Sequence, residues 1–177
     1  LNLPQVTLCC VDTRQPTMAL GAMRLCMEQV NFGAALLITG PRHQLDELPA
    51  GLNVIPVDHI NSIEAYSHFL LKELVQYVTT SHVLIVQWDG YILDAALWTD
   101  DFLNVDYIGA VWPQYDDRHR VGNGGFSLRS RKLLHALTAP EIEPHHPEDV
   151  CIARTYRQQL EREWGIRFAD ETMANRF

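Results

Sequence analysis

Three groups of residues have the types and spacing to do chemistry. The first lies in the run Val83 to Leu93, VLIVQWDGYIL, where four apolar residues end abruptly on Gln87, Trp88, Asp89 and Gly90. An apolar, β-branched run of that length predicts a strand buried on both faces, and ligands of open α/β sheets bind outside the carboxyl ends of such strands. A carboxylate released there beside a glycine can hold a metal or a sugar, and Asp-Gly after a strand is also an ordinary turn signal. The second group, Asn123, Gly124 and Gly125, lets a ligand come close to the backbone or simply closes a tight turn. The third, Glu148 and Asp149, starts a helix, where acids complement the helix dipole or serve as a base.

The elements that must position these residues alternate. The pattern predicts strands over Gln5 to Val11, Ala34 to Ile38 and Asn53 to Val57, with a helix opened by Pro16 and running to about Gln29. Ser62 is placed to cap a helix whose Ile63, Tyr66, Phe69, Leu70 and Leu74 share one face. Beyond Asp89 come a short helical piece near Ala95 to Phe102, a strand at Asp106 to Val111 and a charged loop from Pro113 to Arg120 whose composition suits a mobile lid. Ser130 caps a further helix to about Leu137. A long helix then runs from Glu148 to Trp164 and stops at Gly165, with Ile166 to Ala169 as a last strand. Such alternation predicts one α/β domain, Rossmann-like, with a mostly parallel central sheet and helices on both faces. All three chemical groups then fall at one sheet edge.

Composition narrows the function. The chain has 177 residues, 47% of them hydrophobic, and a formal charge of −8 without any Lys/Arg run, which argues against a nucleic-acid surface. A small anion remains compatible, because a few local cations or a metal can hold it. No apolar segment reaches the roughly 20 residues that span a bilayer. Cys9, Cys10, Cys26 and Cys151 form no CxxC pair, so buried, reduced thiols and a reducing compartment are expected. Val11, Asp12, Thr13 and Arg14 follow the first strand in place of GxGxxG, which argues against a dinucleotide cofactor. His145 and His146, adjacent in a Pro-bounded loop, are expected to be solvated.

QWDGYIL, DYIGAVW at Asp106 to Trp112, VGNGGFSLRSRKLL at Val121 to Leu134 and PEDVCIAR at Pro147 to Arg154 together resemble the bacterial DUF5672 domains. These are similar in plan to GT-A nucleotide-sugar glycosyltransferases. The resemblance runs from VDTR at Val11 to the final ADETMANRF, and NGGFSLRS followed by EDV is its most specific part.

The resemblance implies a GT-A-like fold and roles for the residues. Asp89 stands where the second acid of an Asp-x-Asp metal motif is found, with Gln87 in the first acid's place. The implied cofactor is Mn²⁺ or Mg²⁺ on the donor diphosphate. Val11, Asp12, Thr13 and Arg14 stand where relatives bind the nucleotide, and the Arg14 fork matches phosphate oxygens. Gln87, Trp88, Gly90, Trp112, Asn123, Gly124 and Gly125 would line the sugar site. Trp88 and Trp112 serve equally as stacking platforms or as core. Of the acidic pair, Asp149 is preferred over Glu148 as the base that takes the acceptor's proton. GT-A enzymes commonly take a further metal-binding His from beyond the last helix, and no such residue follows here. Either the C-terminal part is missing or the site is incomplete.

The expected function is therefore transfer of a sugar from a nucleotide-sugar donor, a UDP-sugar by family analogy, to an acceptor hydroxyl with inversion, in bacterial polysaccharide or glycan synthesis. The partners are that donor and a glycan or other hydroxyl acceptor, without nucleic acid or a transmembrane segment. The setting is cytoplasmic, peripheral to the inner membrane. The alternative is a catalytically inactive nucleotide-sugar or glycan-binding module on the same fold.

Overall fold

Successive residues of the first strand, β1 (Asn2–Val11), are buried in opposite directions, and this fixes the architecture. Leu8 and Cys10 face α1 (Pro16–Gln29) through Ala19, Met23 and Cys26. Cys9 and Val11 face Phe69, Leu70 and Leu74 on the other side. A strand apolar on both faces is stable only between two layers, so helices cover both sides of the sheet as the sequence predicts. The computed structural model describes residues 1–41, 45 and 47–177.

The sheet has six strands in the order β3-β2-β1-β4-β6-β5, adding β2 (Asn31–Thr39), β3 (Leu52–Pro56), β4 (His82–Ile85), β5 (Tyr107–Gly109) and β6 (Ser127–Ser130). β1 runs parallel to β2 and β4, and β2 parallel to β3. β6 is antiparallel to both β4 and β5, which corrects the expected mostly parallel sheet to a mixed one. The cause is local. After β5 the chain doubles back through an antiparallel bridge between Val111 and Val121 and re-enters the sheet reversed, and such a return needs no helical crossover.

Capping places the helices. Ser62 Oγ accepts from the Ala65 N–H and starts α2 (Ile63–His68), which continues through a π-helical turn over Phe69–Glu73. Phe69, Leu70 and Leu74 of its predicted face are buried, whereas Ile63 is exposed. Ser130 Oγ accepts from Leu133 and starts α3 (Arg131–Leu137). The expected long helix from Glu148 to Trp164 is broken into α4 (Glu148–Val150), a π-helical turn over Cys151–Thr155 and α5 (Arg157–Trp164). α5 ends where Gly165 takes the left-handed backbone, φ 59°, that glycine adopts freely. α6 (Glu171–Ala174) closes the chain. The last predicted strand shrinks to one bridge between Phe168 and Tyr107.

The predicted lid is tied down. Arg154 donates to both carboxylate oxygens of Asp117 at 2.8 Å and to the His119 carbonyl, with its guanidinium 4.0 Å from the centre of the Tyr115 ring. Arg120 Nη1 donates to Glu171 at 3.1 Å. Arg154 is 37 residues from Asp117 in sequence, so the loop's own composition could not reveal the clamp. All four cysteines are buried and free. Among the described residues no helix is long and apolar enough to cross a membrane.

Candidate functional site

Because β1 to β4 are parallel, their carboxyl ends share one edge, and β1 lies between β2 on one side and β4 on the other. The chain leaves β1 in one direction and returns on the other side, and an edge crevice forms at such a switch point. It is present as a cleft of about 1170 Å³ lined by Asp12, Thr13, Arg14, Tyr66, Gln87 and Trp88, with Val11, His146 and Glu148 also in its wall. A second cavity of about 350 Å³ adjoins it, lined by Gln87, Asp89, Gly90, Asn123, Gly125 and Phe126 among others. Gln87 belongs to both walls.

The β4 turn exposes the residues between the cavities. Gln87 and Gly90 exchange backbone hydrogen bonds at 3.1 Å, which leaves Trp88 and Asp89 at the tip of a tight turn. The turn reading of Asp-Gly is thus realised, and Asp89 is exposed at its tip. Trp88 is 49% exposed and lines the larger cleft. Gln87 Nε2 donates to the Tyr66 hydroxyl at 3.1 Å, while its Oε1 lies on the side of Gly125. Burial first, then the Glu148 carboxylate, pushes the Tyr66 phenol well above its ordinary pKa, so it stays protonated.

At β1 the side chains are partly committed. Asp12 Oδ1 accepts from the Arg14 and Gln15 N–H groups at 2.8 and 2.7 Å, which anchors the entry to α1. Thr13 Oγ1 donates to the Ile60 carbonyl at 2.9 Å. Arg14 is exposed on the cleft wall.

The glycine turn is fastened to α4 from beneath. Asn123 Oδ1 accepts from the Gly125 N–H at 3.1 Å, and Asp149 Oδ2 accepts from the Gly124 N–H at 3.1 Å. A Cβ on Gly124 would stand 2.7 Å from Glu148 Oε1 and 2.9 Å from Arg129 Nη2, so glycine is required there for close approach. Arg129, wholly buried on β6, donates from Nη2 to Glu148 Oε1 at 3.1 Å and from Nε to Ser127 Oγ at 3.0 Å. Its guanidinium also lies 5.6 Å from the centre of the Tyr107 ring.

The acidic pair thus divides. Glu148 lies in the cleft wall, is 6% exposed and is held by Arg129. Asp149 is half-buried behind Gly124, lines neither cavity, and accepts from the Gly124 N–H through Oδ2 and from the Val150 N–H through Oδ1. Burial, and after it the Glu148 charge, raises its carboxyl above the usual aspartate value, against the opposing hydrogen bonds of the Gly124 and Val150 N–H groups. Trp112 stands apart from both cavities. Its ring is buried against Gly122 and stands 5.5 Å, edge to face, from Tyr115.

Among the described residues no three His, Cys, Asp or Glu side chains gather as a metal-binding group. Asp89 is the carboxylate of the smaller cavity, with the Gln87 and Asn123 amides in the same wall. It meets the lower limit for Mg²⁺-type ions, which are commonly held by one or two carboxylates with substrate phosphates completing the shell.

Sequence reading missed three contributors. Arg129 was signalled by a cation inside the buried run SLRS, which demands a carboxylate partner. Tyr66 fell on the apolar helix face and was read as core. His146, exposed as expected, also lines the cleft and pairs with buried Ser67 through Nδ1 at 2.9 Å, a contact no local pattern announces.

These features define an α/β protein with a mixed six-stranded sheet and a divided crevice at its switch point. A family model described as a protein of unknown function, DUF5672, matches residues 50–177, and the chain belongs to that family. No curated protein matches it.

Proposed function

We propose that this chain is a glycosyltransferase with a GT-A-like fold that moves a sugar from a nucleotide-sugar donor, a UDP-sugar in the simplest case, to an acceptor hydroxyl. The observation that carries the reading is the division of one edge crevice by Gln87. The larger part, with Arg14 and the open face of Trp88, has the size and chemistry for a nucleotide and its phosphates. The smaller part, with Asp89, Asn123 and Gly125, suits a sugar.

Each residue then has a physical task. Arg14 pairs with phosphate oxygens. Trp88 stacks on a base or a sugar face. Asn123, whose Oδ1 already fixes the turn, offers its amide N–H groups to hydroxyls. Asp89, with the Gln87 amide oxygen, would hold a Mn²⁺ or Mg²⁺ ion, which when bound neutralises charge on the departing diphosphate. Asp149 takes the proton of the acceptor hydroxyl as the new bond to the anomeric carbon forms opposite the leaving group. Its raised proton affinity makes it a better base than an ordinary aspartate. Glu148 and Arg129 hold Gly124 and Asp149 in register. The family resemblance implies a bacterial glycan as the product.

A second reading, an inactive nucleotide-sugar or glycan-binding module, is favoured by one feature: Gln87 stands where a second acid would strengthen metal binding, and its amide is engaged by Tyr66. Slow hydrolysis of a panel of UDP-sugars, followed as released UDP with Mn²⁺ present, separates the two. The proposal expects release by the wild type and at least a tenfold loss in Asp89→Ala. Equal rates in the two proteins, or no release from any donor, would favour the binding module.

A further inference from the structure

The Gln87 side chain, which belongs to the walls of both cavities, is pinned from two sides. Its Nε2 donates to the Tyr66 hydroxyl at 3.1 Å, and its Oε1 faces Gly125, where an added Cβ would stand 2.8 Å from that oxygen. Tyr66 is a wall residue of the larger cleft, so its hydroxyl lies on that side of the amide. A phenol oxygen that accepts one hydrogen bond still has its own O–H to give. Among the described residues no group accepts that proton. Glu148 lines the same cleft but is engaged elsewhere, its Oε1 accepting from Arg129 at 3.1 Å. The ring is fixed as well, because Tyr66 packs against the buried cluster that contains Phe69, Leu70 and Leu74. A hydroxyl held at both ring and oxygen, with its proton unclaimed, is a preorganised donor.

We infer that Tyr66 donates its phenolic O–H to the diphosphate of a nucleotide-sugar, at the oxygen that leaves the anomeric carbon. This rests on the glycosyltransferase reading for one point, that nucleotide and sugar lie on the two sides of Gln87. The bond between sugar and diphosphate must then cross at Gln87, and the Tyr66 hydroxyl stands one hydrogen bond from that residue on the leaving-group side. In the transfer step the acceptor oxygen bonds to the anomeric carbon and its proton passes to Asp149. The carbon–oxygen bond to the diphosphate breaks, and its electron pair stays on that oxygen. Tyr66 keeps its proton throughout and stabilises the growing charge through the hydrogen bond alone.

The test is calorimetric titration of UDP and of inorganic pyrophosphate, without added metal, into wild type, Tyr66→Phe, Gln87→Ala and the double variant. Phenylalanine keeps the ring packing and removes only the hydroxyl. Losing a hydrogen bond to a charged oxygen should weaken both ligands about tenfold in Tyr66→Phe, and again in the double variant relative to Gln87→Ala. In turnover of a UDP-sugar, kcat should fall about 10²-fold, more than binding does, because charge on the leaving oxygen grows as the bond breaks. Unchanged binding of both ligands in Tyr66→Phe overturns the inference, as does a wild type that binds neither. A loss that disappears in the Gln87→Ala background also overturns it, since Tyr66 would then act only by holding the amide. Tyr66-dependent binding of pyrophosphate with no UDP-sugar turned over would leave the diphosphate contact standing and count against the glycosyltransferase reading alone.

Discussion

The Arg129 guanidinium and the Glu148 carboxylate meet at 3.1 Å with side chains 0% and 8% exposed, and the turn at Gly124 rests directly on that pair. β6, the reversed strand, carries the cation, and α4 the anion, so the pair joins the sheet to the helix that presents Asp149. Breaking such a pair leaves a buried charge without its partner. Glu148→Ala should therefore lower the unfolding free energy by about 3–5 kcal/mol, read by urea denaturation. Replacing both partners with methionine should recover most of that loss, because an apolar pair of similar volume is commonly neutral. A double variant as unstable as the single one would show that the pair is not what holds the turn.

Gly124→Ala should be costly for a different reason. Its Cβ would press on Glu148 Oε1, Arg129 Nη2 and Asp149 Cβ, all within 2.7–2.9 Å, and overpacking at fixed groups costs about 1–3 kcal/mol. Thermal melting checks this. Gly21→Ala is the control, since a Cβ there meets nothing and glycine inside a helix is itself unfavourable by about 1 kcal/mol.

Much of this arrangement was legible beforehand, and the remainder has a common cause. Strand β1, helix α1, the Ser62 and Ser130 caps and the Gly165 stop are written in local pattern, since burial on both faces, a proline start and a left-handed glycine each act within a few residues. The placement of Asp12, Gln87 and Asp89 at one edge followed from the expected parallel strands, whose carboxyl ends they leave, whereas Asn123 reaches that edge because β6 enters reversed. The reversal of β6, the Arg154 hold on the 113–120 loop and the Arg129 partner of Glu148 did not. Each depends on residues tens of positions apart, whose approach no local periodicity encodes.

Asp149 should control the pH profile of transfer. Its folded pKa lies above the ordinary aspartate value, so the ionised, proton-accepting form is reached at a higher pH than for a free aspartate. Turnover should rise with pH through that raised value. Asp149→Asn should lower the rate about 10²–10⁴-fold and leave UDP affinity unchanged. The stability sign is opposite. A raised folded pKa contributes stability that is full below the unfolded value of about 3.9 and is lost as pH rises through the folded one, and the same variant should remove that slope.

The 113–120 loop should behave as a clamped segment. Asp117 is held well below the usual carboxylate range, first by its hydrogen bonds from Arg154 and then by the His119 N–H. Its contribution is therefore present above the ordinary value and lost only as pH falls below it. Limited proteolysis at neutral pH should spare the loop in the wild type and cut it in Arg154→Ala. Equal cutting of both would show that the loop moves despite the clamp.

The central claim is that the divided crevice holds a nucleoside diphosphate at Arg14 with Asp89 reaching it through a divalent ion. Calorimetric titration of UDP into wild type and Asp89→Ala, each with and without Mn²⁺, tests it most directly. The expected result is wild-type binding that Mn²⁺ strengthens at least tenfold, with that gain abolished in Asp89→Ala and the metal-free affinity retained. Binding that ignores Mn²⁺ in both proteins, or no binding of UDP at all, would contradict it.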